Sequence, residues 1–352
     1  MCLRHASGLT DVALASRERL GFKLCAKSDN ATIHVHAIAT SNAMESDIRH
    51  MKASSKVSKI PGSSTASKKH VLAEGFKRCE ALTGQTFDFW PETWVLPSEA
   101  PLLDAVLSKN KRRQKKKTFI IKPSCGSQGE GISLLQTPSD LRSSPLLSLG
   151  RGKSVVQSYL PSPLLLPPPS NQKFDIRVYV LIASVEPLKV YLCKEGLVRF
   201  ATQAYEKPLR KNLHDASTIS LKTASLLKPV LTSATAAMFQ GSCSRPPNST
   251  SSSTILAGGG FQILGLDLLI DSTFKVWLLE VNANPSMRLD HEVYGDLGVG
   301  VHVKSEVDEF VKTKVWEGAI RIVTDGRNRN GRIRNDGRDG ICGDYLNVGE
   351  GG

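Results

Sequence analysis

No stretch of this 352-residue chain approaches the roughly 18 consecutive apolar residues that a membrane helix needs. No membrane partner is therefore expected. The first twenty residues lack a continuous apolar run, so they are not read as a secretory signal. Cysteine is sparse: seven residues, scattered, with no CxxC pair. That spacing excludes a zinc ribbon and fits a reducing compartment. Acid is in short supply, with 33 Asp and Glu against 46 Lys and Arg, a net charge of +13. Such a chain is drawn to polyanions: nucleic acid, an anionic membrane, or an acidic protein surface. There is no internal repeat, no Walker loop, no clean dinucleotide fingerprint and no Ser-His-Asp or Cys-His arrangement. Covalent hydrolysis is left without a candidate nucleophile.

What is present supports a folded α+β chain. Hydrophobic residues make up 40% and charged residues 22%, enough apolar material for a core. Residues 1–55 show no clear periodicity and stay unassigned, with disorder as one reading. The segment Lys68–Gly84 reads as a helix with Val71, Leu72, Phe76 and Leu82 on one face and Gly84 at its end. Short strands are expected at "TFIIKP", "SVVQSYL" and "FDIRVYVLIAS", and a hairpin over Leu188–Thr202 with its turn near Glu195-Gly196. "TFDFWPETWVLP" reads as a strand or extended segment. Residues 216–260 change character: a broken helix around Pro229 gives way to a linker-like Ser/Pro run. After about residue 323 the chain is low in apolar residues, and 324–352 read as a disordered tail.

The stretch "FKVWLLEVNANP" looks like a buried strand, yet Glu280 and Asn282 interrupt it. Side chains alternate along a strand, so these two face one side. The preceding strand carries Asp267 between leucines. A tight reversal through Asp271–Phe274 would set Asp267 roughly opposite Glu280. Three hard oxygen donors on an apolar hairpin suit Mg²⁺ better than zinc. The alternative is the solvent face of an amphipathic hairpin.

A second constellation is "IIKPSCGSQGEGI". Lys122 sits at a strand end, followed by Gly126, Gly129 and Gly131, which allow backbone N–H groups to approach phosphate. A flexible surface hairpin is the competing reading. "KFDIR" places Lys173, Asp175 and Arg177 on one strand face, and "EGLVRF" adds Arg199. Salt bridging on an exposed strand would account for each singly. Together these groups describe ATP-dependent activation of a carboxylate. The run "KNKRRQKKK", residues 109–117, reads first as a solvated loop and second as a polyanion contact.

In this order, "FDFWPETWVLP", "FIIKPSCGSQGEGI", "VVQSYLPSPLLL", "KFDIRVYVLI", "EGLVRFATQAY" and "FQILGLDLLID…KVWLLEVNANPSM" resemble the tubulin tyrosine ligase-like family, over about Lys56 to Val323. "PLLL" and "EVNANPSM" look more like its glutamylase branch, the tubulin polyglutamylases. The resemblance implies an ATP-grasp fold with antiparallel sheets and a smaller N-terminal domain over 56–108. Central and C-terminal domains would span 118–323, incomplete at 216–260. It implies that Lys122 contacts ATP phosphates under a flap of Gln128, Gly129, Glu130, Gly131 and Ile132. Gln157, Ser158, Tyr159 and Leu160 would border the adenine, and Lys173 and Asp175 would line the nucleotide pocket. Arg177 and Arg199 would hold the acyl-phosphate or the incoming glutamate. Asp267, Glu280 and Asn282 would bind Mg²⁺. The implied partners are the acidic tails of tubulin in microtubules and free L-glutamate, with a monomer in the cytoplasm, on the microtubule cytoskeleton, at a cilium or basal body.

The family's "HLTNYS"-type segment is absent after Ser217. The alternative is thus a catalytically impaired member that binds microtubules without ligating. A nucleic-acid-binding protein ranks third, because no base-reading module accompanies the basic run.

Overall fold

A computed structural model of the protein describes residues 2–7, 11–25, 31–36, 42–52, 54–125, 131–144, 146, 152–185, 187–207, 221–224, 259–294, 300–325 and 344–350. In chain order the elements are β1 (Cys2–Ser7), α1 (Asp11–Ser16), β2 (Lys23–Leu24), β3 (Ile33–His36), α2 (Asn42–His50), β4 (Lys56–Val57), α3 (Ser63–Ala66) and α4 (Lys69–Thr83). Next come β5 (Thr93–Leu96), α5 (Ala100–Lys111), β6 (Phe119–Pro123), β7 (Ser133–Leu135), α6 (Pro138–Arg142) and β8 (Ser154–Ser158). The remainder is β9 (Gln172–Val185), β10 (Leu188–Ala204), β11 (Leu221–Ala224), β12 (Gln262–Ile270), β13 (Val276–Asn282), β14 (Asp290–Tyr294), β15 (Gly300–Lys304), α7 (Glu306–Asp325) and β16 (Tyr345–Glu350).

The main sheet runs β11-β10-β9-β12-β13, and β16 joins β10. All its pairs are antiparallel. β9 pairs β12 without a register break, so its side chains alternate and both its faces are covered. On one face Ile176, Val178 and Val180 pack with Leu266, Leu268 and the aromatic group of Phe76, Phe89 and Trp90. On the other, Tyr179, Leu181, Phe261 and Ile263 pack against Val311, Val315, Trp316 and Ala319 of α7. A second antiparallel sheet, β5-β8-β6-β7, closes its own core around Trp94, Leu103, Leu107, Phe119 and Ile121.

Several elements differ from the sequence expectation. Residues 1–55, left unassigned, supply β1, β2 and β3 of a parallel sheet ordered β2-β1-β3-β4, which β4 at Lys56–Val57 completes. Its strands are too short to show a period. In β1, Cys2 lies 5.8 Å, Cα to Cα, from Cys25, and the two sulfurs are paired; the scattered cysteine spacing had suggested only free thiols. The hairpin turn expected at Glu195-Gly196 is instead an irregularity inside the continuous strand β10, between Leu192 and Gly196; the hairpin is β9–β10. Helix α4 ends as expected at Gly84, which takes φ of 68°. Its Leu82, expected on the buried face, is 70% exposed. The basic run begins inside the last turn of α5. Residues 345–350, expected in a disordered tail, form β16 against Lys189–Cys193. Tyr345 is fully buried there, and its hydroxyl donates to the Val315 carbonyl at 2.7 Å. The broken helix around Pro229 and the Ser/Pro run lie outside the described residues, as do Gly126, Gln128, Gly129 and Glu130.

Candidate active site

Four neighbouring strands bring charge to one face. Asp175 of β9 lies opposite Arg199 of β10, and Arg177 opposite Asp267 of β12. Asp267 in turn lies opposite Glu280 of β13, as expected, but through a bulge: the register from the reversal holds to Leu268 opposite Leu278 and then shifts by one residue. Alternation does the rest: Asp175, Arg177, Tyr179 and Leu181 point the same way. The ionic stripe is thus the rim of the dry face that packs on α7.

The stripe is closely paired. Both Asp267 oxygens accept from Arg177, Oδ2 from Nη2 at 2.9 Å. Arg199 Nη2 approaches the same Oδ2 at 2.8 Å. Arg199 also donates to Asp175 through Nε at 2.6 Å and Nη2 at 2.9 Å. Burial alone would raise the Asp267 carboxyl; the hydrogen bonds and charge of Arg177, with the charge of Arg199, override it and hold it at about 2. Bidentate geometry makes these bonds strong and directional.

Space for Arg177 comes from Gly265, two residues before Asp267 on the same face. A Cβ there would sit 3.0 Å from Arg177 Cδ and 2.9 Å from Pro285 Cβ. The sequence offered this signal in "LGLDLL", and it went unread.

Asn282 Nδ2 lies 3.2 Å from Glu280 Oε1 and 3.4 Å from Asp267 Oδ2. Asn282 thus turns its amide nitrogen to both carboxylates; the two carboxylates and, with the amide turned over, its oxygen are donor types that suit Mg²⁺. Among the described residues no group of three His, Cys, Asp or Glu side chains forms a closed metal cage.

Two lysines face the stripe from outside the main sheet. Lys122, at the end of β6, donates to Gln157 Oε1 at 3.0 Å. Burial depresses its amine to about 8, against the pull of Glu280. Lys69, the first residue of α4, reaches Glu280 Oε2 at 3.1 Å. Sequence reading missed Lys69, because a lysine at a helix start carries no period. It is seated by buried Gln262, which accepts from the Ile60 N–H and the Ser63 hydroxyl and donates to the Ala283 carbonyl. His70 adds a contact from its ring Nδ1 to Ser124 Oγ, tying α4 to the segment after Lys122.

The remaining expected residues are placed as follows. Gln157 is buried and its amide donates to Thr93 Oγ1 at 3.0 Å, so its side chain braces Lys122. Ser158, Tyr159 and Leu160 follow at the exit of β8. The Tyr159 ring lies 5.5 Å from Lys173 Nζ, and its hydroxyl 3.4 Å from that of Tyr205. Gly131 takes φ of 71°, and Ile132 leads into β7. Glu280, Lys69, Lys173 and Asp267 all lie within electrostatic reach of Lys122.

The chain matches the profile of the tubulin-tyrosine ligase family over residues 47–220 and 242–301. The chain belongs to the tubulin-tyrosine ligase family. The match breaks at 221–241, within the stretch where the sequence departs from the family pattern. This family member is 35% identical over 311 residues to the human tubulin polyglutamylase TTLL11, covering 77% of this chain and 43% of the relative. It is 29% identical to human tubulin polyglutamylase TTLL6, covering 85% and 36%, and 25% identical to tubulin polyglutamylase TTLL7 of Xenopus tropicalis, covering 82% and 35%. The chain thus spans less than half the length of these curated relatives.

Proposed function

We propose that this chain is an ATP- and Mg²⁺-dependent ligase of ATP-grasp type that adds glutamate to glutamate side chains in tubulin tails. The observation that carries the reading is the cross-strand stripe of Arg199, Asp175, Arg177, Asp267, Glu280 and Asn282, faced by Lys122 and Lys69. When bound, Mg·ATP supplies an electrophilic γ-phosphoryl group whose charge the cation screens. Asp267, Glu280 and Asn282 are the residues that would hold the cation. Lys122 and Lys69 would neutralise the phosphate oxygens.

In the first step a tail carboxylate oxygen bonds to the γ-phosphorus and the bond to ADP breaks. In the second, the amine of free glutamate attacks the resulting acyl-phosphate carbon. Phosphate leaves with the electron pair, the amine loses a proton, and an isopeptide bond forms. Arg177 and Arg199, fixed by carboxylates before any ligand arrives, are placed to hold the acyl-phosphate or the incoming glutamate without reorganising. Names of the relatives support tubulin as acceptor, and the net charge of +13 suits an acidic tail. The chain would then work on the microtubule cytoskeleton.

The test is incorporation of radiolabelled glutamate into microtubules with Mg·ATP, compared with Glu280→Gln. Incorporation that the variant loses is the expected result. The opposite outcome is folded protein that sediments with microtubules but transfers nothing, with the segment at the break in the family match, 221–241, as the first place to look. That would assign the chain a binding role.

A further inference from the structure

We propose that the loop joining α5 to β6 is a docking surface for a glutamate-rich chain segment, separate from the nucleotide end of the site. Seven of the nine residues from Lys109 to Lys117 are cationic, and none is acidic. All seven are exposed except Lys116, which is half-buried. Among the described residues, none of the seven forms an ion pair with a carboxylate.

A run of like charge that merely keeps a surface wet repels itself and has no reason to be held in shape. This one is held. Asn110, only 3% exposed, donates through Nδ2 to the carbonyls of Lys117 and Gln136, both at 2.8 Å. Its Oδ1 accepts the Lys117 N–H at 2.9 Å. One buried amide thus pins both ends of the basic turn. The N–H groups of Arg112 and Arg113 fold back onto the carbonyls of Lys109 and Asn110 at 3.2 and 3.1 Å. The cations are fanned from a fixed base, so little ordering cost is left for binding.

The composition selects the partner. The loop holds no aromatic residue on which bases could stack, which a single-stranded nucleic-acid platform needs. Five of its seven cations are lysines, point charges on flexible stems, suited to a string of mobile carboxylates without fixed fork geometry. The loop enters β6 where Thr118 accepts the Tyr159 N–H at 3.0 Å, beside the exit of β8. Lys122 lies four residues further along the strand, about 13 Å away at the usual strand rise. Capture of the acidic chain and handling of phosphate are therefore separable. The proposal deepens the ligase reading by naming how an acidic acceptor is caught, and rests on that reading for the acceptor's role.

The experiment measures fluorescence anisotropy of a short labelled poly-glutamate peptide on the full chain across a salt series. The combined variant Arg112→Ser, Arg113→Ser, Lys115→Ser, Lys116→Ser should lose about tenfold in affinity at low salt and show a flatter salt dependence. Its melting temperature and its binding of a Mg·ATP analogue should stay unchanged. The pair Arg112→Lys, Arg113→Lys should keep the peptide affinity. Equal peptide binding by the neutralised variant overturns the proposal. So does a single-stranded RNA that displaces the peptide and binds the wild-type loop more tightly. Loop-dependent peptide capture in a chain that incorporates no glutamate upholds the docking surface and overturns the ligase reading alone.

Discussion

Two groups of cations in this protein are built on opposite terms. Arg177, Arg199 and Lys69 in the strand-borne stripe each touch a carboxylate and are mostly buried. Among the described residues the cations from Lys109 to Lys117 pair with no carboxylate, and all but half-buried Lys116 stand in water. Burial explains the difference. A charge taken out of water must be paired or it costs several kcal/mol, whereas an exposed lysine keeps its hydration. The stripe spends its cations on internal geometry and leaves a few groups facing outward. The loop leaves every cation available to a partner.

The hardest way to break that contrast is to remove the central anion of the stripe. Asp267→Ala leaves Arg177 without its bidentate partner and strips Arg199 of one of two. A loss of about 3–5 kcal/mol is expected, as for breaking other buried pairs, read by urea denaturation. The same carboxylate sets an acid limit. Its folded value of about 2 lies below the ordinary carboxyl value of 3.8, so the unfolded chain binds the extra proton. The stabilisation is fully present above about pH 4 and is lost as pH falls through about 2. A denaturation series in acid should show that loss in the wild type and a flatter profile in Asp267→Asn.

Next in size is Gly265→Ala. The added Cβ meets Pro285 at 2.9 Å and Arg177 Cδ at 3.0 Å. The guanidinium must move off Asp267, or the strand must shift. Overpacking of this kind costs about 1–3 kcal/mol. Glutamate incorporation should fall further than stability does, because the fixed position of Arg177 is what the stripe supplies.

That glycine also marks where sequence reading stopped. Asp267, Glu280 and Asn282 were legible as oxygen-bearing residues interrupting an apolar hairpin, although the one-residue bulge that sets Asp267 opposite Glu280 carries no sequence signal of its own. Arg177 and Arg199 followed from alternation on β9 and β10. Lys69 was not legible. It reaches Glu280 only because Gln262 clamps the segment before α4, a contact between residues far apart in the chain. Glu195 and Gly196 imitated a turn because an irregularity inside a long strand uses the same residue types. β16 was hidden because six residues after a Gly/Arg-rich run show no period, and only the edge of β10 gives them a partner.

A smaller effect separates the two facing lysines. Lys122 is depressed to about 8 by burial, so its native amine loses the proton before the unfolded one does. Between about 8 and the ordinary 10.5 the unfolded chain binds more protons, and stability rises with pH in that window. Affinity for Mg·ATP should run the other way, weakening as pH rises through about 8, because the phosphates need the cation. Bound phosphate would itself raise the lysine, moving the midpoint upward at saturating nucleotide. Lys122→Arg, which stays charged, should lose the pH dependence of binding even where it binds less tightly. Isothermal titration across the window decides it, and an unchanged midpoint in the arginine variant would place the titrating group elsewhere.

The smallest expected effect sharpens the comparison most. Arg112→Ser or Arg113→Ser alone should leave the denaturation midpoint where it is, since neither side chain is buried or paired. Arg177→Ser, the same chemical change in the stripe, should lower it strongly, by leaving the Asp267 carboxylate, 4% exposed, with Arg199 as its remaining arginine partner. Two arginines, one substitution and one assay then report the environment alone. If the loop variant also destabilises the fold, its cations hold contacts that pin the chain, and their availability to an acidic partner falls with it.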